Sequence, residues 1–193
     1  MAKQNINSKE GFTIIEVVLV LAIAGLIFLM VFVALPALQR SQRDTQRRND
    51  LSRVDTSLVQ YQTNNATKTN NLPSAGEWTG VATFPDNCNT NTACSFIRNY
   101  MNSGTSDNAT TNTFQDPDGT YYSMKIQTAA EAGITSSVNW NYQTAASTSA
   151  MNHIVYVFTG AKCDGEEVTT DTSRHFAIAY RLEGAGTYCI DDQ

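Results

Sequence analysis

Residues 11–39 read GFTIIEVVLVLAIAGLIFLMVFVALPALQ, and no charged residue occurs from Val17 to Leu38. A bilayer core of about 30 Å takes roughly 20 apolar helical residues at 1.5 Å each, so the run is long enough to cross one, and a helix without a polar face is unusual in a soluble domain. Its informative residue is Glu16. An ionised carboxylate at that depth costs about 2.5 kcal/mol or more unless it is paired, and no Lys or Arg lies between Glu10 and Gln39. Cleavage after Gly11 would place a new ammonium on Phe12, one helical turn from Glu16, in the same or a neighbouring subunit. These residues point to a chain that is cut before it is used.

Arg40, Arg43, Arg47 and Arg48 follow the apolar run and outnumber Lys3 and Lys9 before it. The positive-inside rule alone would put the C-terminal side in the cytoplasm. Asn-rich sequence and an even number of cysteines downstream favour the exported side instead. The 193 residues leave room for one globular head behind the helix. After residue 64 the head carries 6 Lys and Arg against 13 Asp and Glu, a balance of −7, which disfavours phosphate-backbone binding. No nucleic-acid partner is expected.

From Gln39 to Asp50 the sequence is polar and helical in character, with Asp44 and Arg48 expected to pair at i,i+4. Leu51, Val54, Leu58 and Tyr61 then recur on one helical face, which requires a partner in the C-terminal strands. Helix from Phe12 to about Gln62 would extend roughly 75 Å. Asn64 to Ser74, with Pro73, ends it. A short helix is expected at Cys94–Met101, a first strand at Tyr121–Gln127, alternating strands at His153–Thr159 and Arg174–Glu183, and a last one at Thr187–Ile190. Residues 163–167 read as a loop. The fold class is α+β: a long N-terminal helix, half transmembrane and half amphipathic, packed on a C-terminal antiparallel sheet.

Among the three connectivities open to four cysteines, Cys88–Cys94 and Cys163–Cys189 are favoured, the second contributing about 3 kcal/mol by chain entropy. Asp116-Pro117-Asp118-Gly119 reads as a type I turn, with Asp116 and Asp118 as weak calcium candidates, since two carboxylates make an incomplete site. His153, His175, Cys163 and Cys189 match no zinc spacing. Trp78 and Trp140 read as packing anchors. Asn65-Ala66-Thr67 and Asn108-Ala109-Thr110 match the N-glycosylation pattern, mostly a chance match. No nucleophile elbow, phosphate loop or metalloprotease helix is present, so neither an enzyme nor a cofactor is expected.

The polar leader ending in Gly11, the run Phe12-Thr13-Ile14-Ile15-Glu16 and the helix behind it resemble the class III signal of type IV pilins and pseudopilins. The resemblance implies cleavage after Gly11 by a prepilin peptidase, N-methylation of Phe12, a register role for Glu16 and a bending role for Pro36. It implies the type IV pilin fold, divided into a leader (1–11), a filament-core helix (12–38), an amphipathic half (39–63) and a head (64–193). Cys163–Cys189 looks like the C-terminal disulfide of many pilins. The expected life history is a single-pass precursor in the inner membrane, then a homopolymeric surface filament serving adhesion, motility or DNA uptake, built with a platform protein and an ATPase. A secretion pseudopilin, or a minor or tip pilin acting as a binding module, are the alternatives.

Overall fold

A computed structural model of the chain describes residues 11–66, 72–80, 88, 92–101, 111–134, 153–184 and 186–192. The leader before Gly11, the sequon at Asn108 and Trp140 lie outside the described residues. The chain forms two compact units, one ending at Arg40 and one beginning at Ser41. Helix α1, Ile14–Asn64, contributes to both.

In the first unit every large apolar side chain from Ile14 to Leu38 is exposed. This part of α1 is long and apolar enough to cross a membrane. Pro36 sits within the helix, where it removes one backbone donor.

The second unit is built on a five-stranded sheet ordered β1-β2-β3-β6-β7: Gly76–Trp78, Ser123–Thr128, Ile154–Thr159, Phe176–Arg181 and Thr187–Asp191. A separate hairpin pairs β4, Ala161–Asp164, with β5, Glu167–Thr170. Helix α2, Thr92–Phe96, continues as a π-helical turn at Ile97–Met101. The sheet is mostly, not wholly, antiparallel. Strands β2 and β3 run parallel, Ser123 opposite Ile154. Parallel neighbours need a long crossover, which the connection from Thr128 to Ile154 supplies, and side-chain alternation carries no information on strand direction.

Two further expectations are corrected. β1 precedes the strand expected to be first, being too short to show a period. Residues 163–167 are a two-strand hairpin rather than a loop, closed at Gly165, whose φ of +66° suits a residue without Cβ.

Alternation then divides the sheet. Met124, Ile126, Val155, Val157, Ile178 and Tyr180 face one core, which also holds Leu51, Val54 and Leu58 of α1. Ala177, Ala179 and Phe158 face the other way, onto a smaller core with Ala161 and Val168 of the hairpin. Helix and hairpin therefore cover opposite faces of one sheet. Cys88 is bonded to Cys94, and Cys163 on β4 to Cys189 on β7.

Candidate functional site

At the start of α1, Gly11, Phe12 and Thr13 are exposed and non-helical. Phe12 is 88 % exposed. Thr13 is the N-cap. Its hydroxyl accepts from the Glu16 N–H at 3.4 Å, while the Glu16 carboxylate accepts from the Thr13 hydroxyl at 3.2 Å and from its N–H at 3.4 Å. This is a reciprocal capping box, and it places the carboxylate at the positive end of the helix dipole. Thr13 is the neutral partner of Glu16 that a charge count along the sequence does not give, although T-x-x-E before an apolar run is legible there. These bonds satisfy one carboxylate oxygen without cancelling the charge.

The second cluster lies wholly within the second unit and is centred on Arg47, which is 5 % exposed. Its Nε and Nη2 donate to the two oxygens of Asp116 at 2.7 and 2.8 Å, and its Nη1 donates to Asp44 and Glu183, both at 3.1 Å. Asp116 also accepts from the Tyr180 hydroxyl at 3.0 Å and the Asp118 N–H at 3.1 Å. Asp44 accepts the N–H groups of Glu183 and Gly184, each at 2.9 Å. A Cβ on Gly184 would come within 2.9 Å of the Asp44 carboxylate, so a larger residue there would push that side chain aside. Arg43 forks onto Glu183 from the outside.

The electrostatics follow from the contacts. Burial works against the Asp116 carboxylate, yet the Arg47 fork and the backbone and tyrosine donors outweigh it and hold its pKa below the ordinary value. Hydrogen bonding from Arg43, opposed by some desolvation and helped by Arg47, pulls Glu183 down to about 2. Burial, with Asp116 close by, raises the Tyr122 and Tyr180 hydroxyls far above the usual range. Burial is also the main reason that the pKa values of Asp50 and Asp55 rise.

The expected i,i+4 pair between Asp44 and Arg48 is not formed. Asp44 bonds Arg47 instead, and Arg48 lies over the Tyr188 ring, 5.4 Å from its centroid. Asp44 is held by Arg47 three residues on and by the N–H groups of Glu183 and Gly184, 139 and 140 residues away, in place of Arg48.

Asp116, Asp118 and His153 bring three ligand atoms within 4.8 Å of one another. The set does not suit calcium. A hard cation wants six or more oxygens, and here both Asp116 oxygens already face a guanidinium. The zinc set does not assemble either: its two cysteines are bonded to each other, His153 faces Asp116 and Asp118, and His175 faces Asp192 at 3.2 Å. A cavity of about 440 Å³ beside the cluster is lined by Arg43, Arg47, Arg181, Asp118, His153 and Glu183 among others. Charges of both signs line it, which suits a structural clasp rather than an anion site.

Leu51, Val54 and Leu58 pack as the periodicity requires, and the Asp116–Gly119 turn closes with a Gly119 N–H to Asp116 carbonyl bond of 2.8 Å. In the sequence Arg47 is one of four arginines that follow the apolar run. Its partner is 69 residues away, and no local signal identifies it. No family model, no curated protein and no solved structure matches the chain.

Proposed function

We propose that the chain is the precursor of a type IV pilin-like filament subunit, held in the membrane by the apolar half of α1 and polymerised after cleavage between Gly11 and Phe12. The observation that carries this reading is the pairing of an apolar helix that its own chain leaves exposed from Ile14 to Leu38 with a single carboxylate, Glu16, held in the first turn. Lipid satisfies the apolar surface in the membrane. In a filament the same surface packs against neighbouring helices, a heterologous contact that repeats along an open assembly.

Exposure of the non-helical Gly11–Phe12 segment supports cleavage there, since a peptidase needs a chain it can extend. Before cleavage Thr13 holds the Glu16 carboxylate with neutral hydrogen bonds. After cleavage the Phe12 ammonium, offered by the same or a neighbouring subunit, cancels its charge, and leaving that carboxylate unpaired among packed helices would cost several kcal/mol. Subunits therefore dock in the register that brings ammonium and carboxylate together. The peptidase, platform protein and ATPase follow from the resemblance. The calcium loop of a pseudopilin gains no support from Asp116 and Asp118, which are committed to the clasp.

Glu16→Ala tests the mechanism. Membrane fractions should retain the processed protein, while material sheared from the cell surface should lose it. Intact mass of the wild-type sheared fraction should correspond to a chain beginning at methylated Phe12 and lighter by four hydrogens, as two disulfides require. Normal filaments from Glu16→Ala would sink the register argument.

A further inference from the structure

A groove of about 340 Å³ runs along the second half of α1, within the second unit. Ser52, Arg53, Thr56, Ser57 and Gln60 wall it on one side and Tyr100, in the π-helical turn, on the other. Their spacing along α1, i, i+1, i+4, i+5 and i+8, puts the five side chains on one flank of the helix. Two bonds join the walls: the Ser57 hydroxyl donates to the Tyr100 carbonyl at 3.4 Å, and Arg53 Nη2 donates to the Met101 carbonyl at 3.5 Å. Ser57 and Met101 are buried and form the floor. The turn is also held from behind, since the Tyr100 ring stacks on Phe96 at 5.5 Å and meets Tyr61 at 5.2 Å, and Cys94 in α2 is bridged to Cys88.

Hydrogen bonding in the groove has a defined sense. Ser52 donates its proton to the Arg48 carbonyl at 3.1 Å, Thr56 to the Ser52 carbonyl at 2.9 Å, and Ser57 to Tyr100. A hydroxyl has one proton and two lone pairs, so these oxygens are left as acceptors. Arg53 supplies the donors. Asp50 at 3.4 Å and the Met101 carbonyl each take one of its N–H groups, which offsets its charge and fixes the guanidinium while leaving further N–H groups to bond. Gln60 adds an amide that both donates and accepts. Among the described residues no carboxylate lines the groove.

A ligand for this site must donate and accept, and must carry no net charge. Phosphate, sulfate and carboxylate groups only accept and would meet the hydroxyl lone pairs. An ammonium only donates and would meet the guanidinium. An apolar body would strip water from all of these groups and leave them unpaired. Vicinal hydroxyls on a sugar ring do both. We propose that the groove binds one uncharged saccharide residue, its hydroxyls donating to Ser52, Thr56 and Ser57 and accepting from Arg53 and Gln60. Small-molecule pockets start at about 300 Å³, so a groove of this size suits a single ring, and walls already tied together lose little freedom on binding. The site goes beyond the filament reading and does not depend on it, since it lies wholly in the second unit.

The test is titration of the full-length 15N-labelled chain, in a phosphocholine detergent that brings no sugar, with methyl α-D-glucopyranoside, methyl β-D-galactopyranoside and methyl α-D-mannopyranoside. At least one should shift the Arg53 Nε–H and Gln60 amide signals saturably, with a millimolar Kd, while glycerol at equal concentration does not; Arg53→Lys identifies the Nε–H signal. Thr56→Val with Gln60→Ala should weaken that glycoside about tenfold or more, as loss of one or two hydrogen bonds requires. Both positions are exposed, so the thermal unfolding curve should stay in place. No saturable shift from any of the three glycosides, or the same shift from glycerol, would overturn the proposal. Saturation by phosphate or acetate would make this an anion site, and saturation by a capped glycine amide a peptide site, and either would overturn it. Binding that the double variant leaves unchanged would place the sugar elsewhere, with the same consequence. Each of these outcomes leaves the filament reading standing, because none involves assembly.

Discussion

The two halves of α1 solve the same problem in opposite ways. From Ile14 to Leu38 the helix has apolar side chains all round, and the chain leaves the large ones exposed. From Ser41 to Asn64 it has one apolar stripe, and the head buries it at Leu51, Val54 and Leu58. Each half contains an ionised network suited to its setting. Among the described residues Glu16 has Thr13, whereas Arg47 has Asp116, Asp44 and Glu183. A segment whose groups are satisfied within its own fold is finished as a monomer. The apolar half is not: its large side chains stay exposed, and in the function proposed above lipid or other copies cover them.

That contrast breaks most visibly at Arg47. Arg47→Ala would leave the Asp116 carboxylate buried against Tyr180 without its counter-charge, a change that costs about 3–5 kcal/mol. Denaturant unfolding of the detergent-solubilised chain, followed by tyrosine fluorescence, should show that loss. Glu16→Ala should leave the same transition unmoved. A large shift from Glu16→Ala would mean that the halves are not independent in stability.

The disulfides come next. Opening Cys163–Cys189, which spans a sequence separation of 26, should destabilise the head by about 3.5 kcal/mol in the chain-entropy estimate, and opening Cys88–Cys94, with a separation of 6, by about 2 kcal/mol. Double Cys→Ser variants compared by thermal unfolding check that order. The reverse order would show that native packing around Cys88, not loop closure, dominates.

The smallest expected effect is on pH dependence, and its sign changes with pH. The folded pKa values of Asp50 and Asp55 lie above 3.8, so the folded state takes up protons more readily there, and stability rises as pH falls through those values toward 3.8. Asp116 and Glu183 have depressed folded values. Their contribution is complete above their unfolded pKa values and is lost as pH falls below about 4, through Glu183 near 2. Because Glu183 is partly solvated, its share is modest. Melting temperature should therefore peak in mild acid, and Asp50→Asn should flatten the limb above pH 4. A monotonic fall from neutral pH would contradict the burial of Asp50 and Asp55.

Sequence alone determined what depends on composition and short-range spacing. The apolar run, the carboxylate within it, the buried stripe of the second half-helix, the strand alternation and the turn at Asp116 are each legible because the helical and extended periods place the residues concerned on one side. The T-x-x-E box belongs with them, being local. Tertiary structure alone decided the parallel pairing of β2 with β3, the distribution of hairpin and helix over the two sheet faces, and the partners of Arg47. Each depends on segments far apart in the chain, whose meeting is set by total burial rather than by neighbouring residues. Asp116 shows the difference most directly: its turn was readable from four adjacent residues, but its role in holding the helix to the head required an arginine 69 positions earlier.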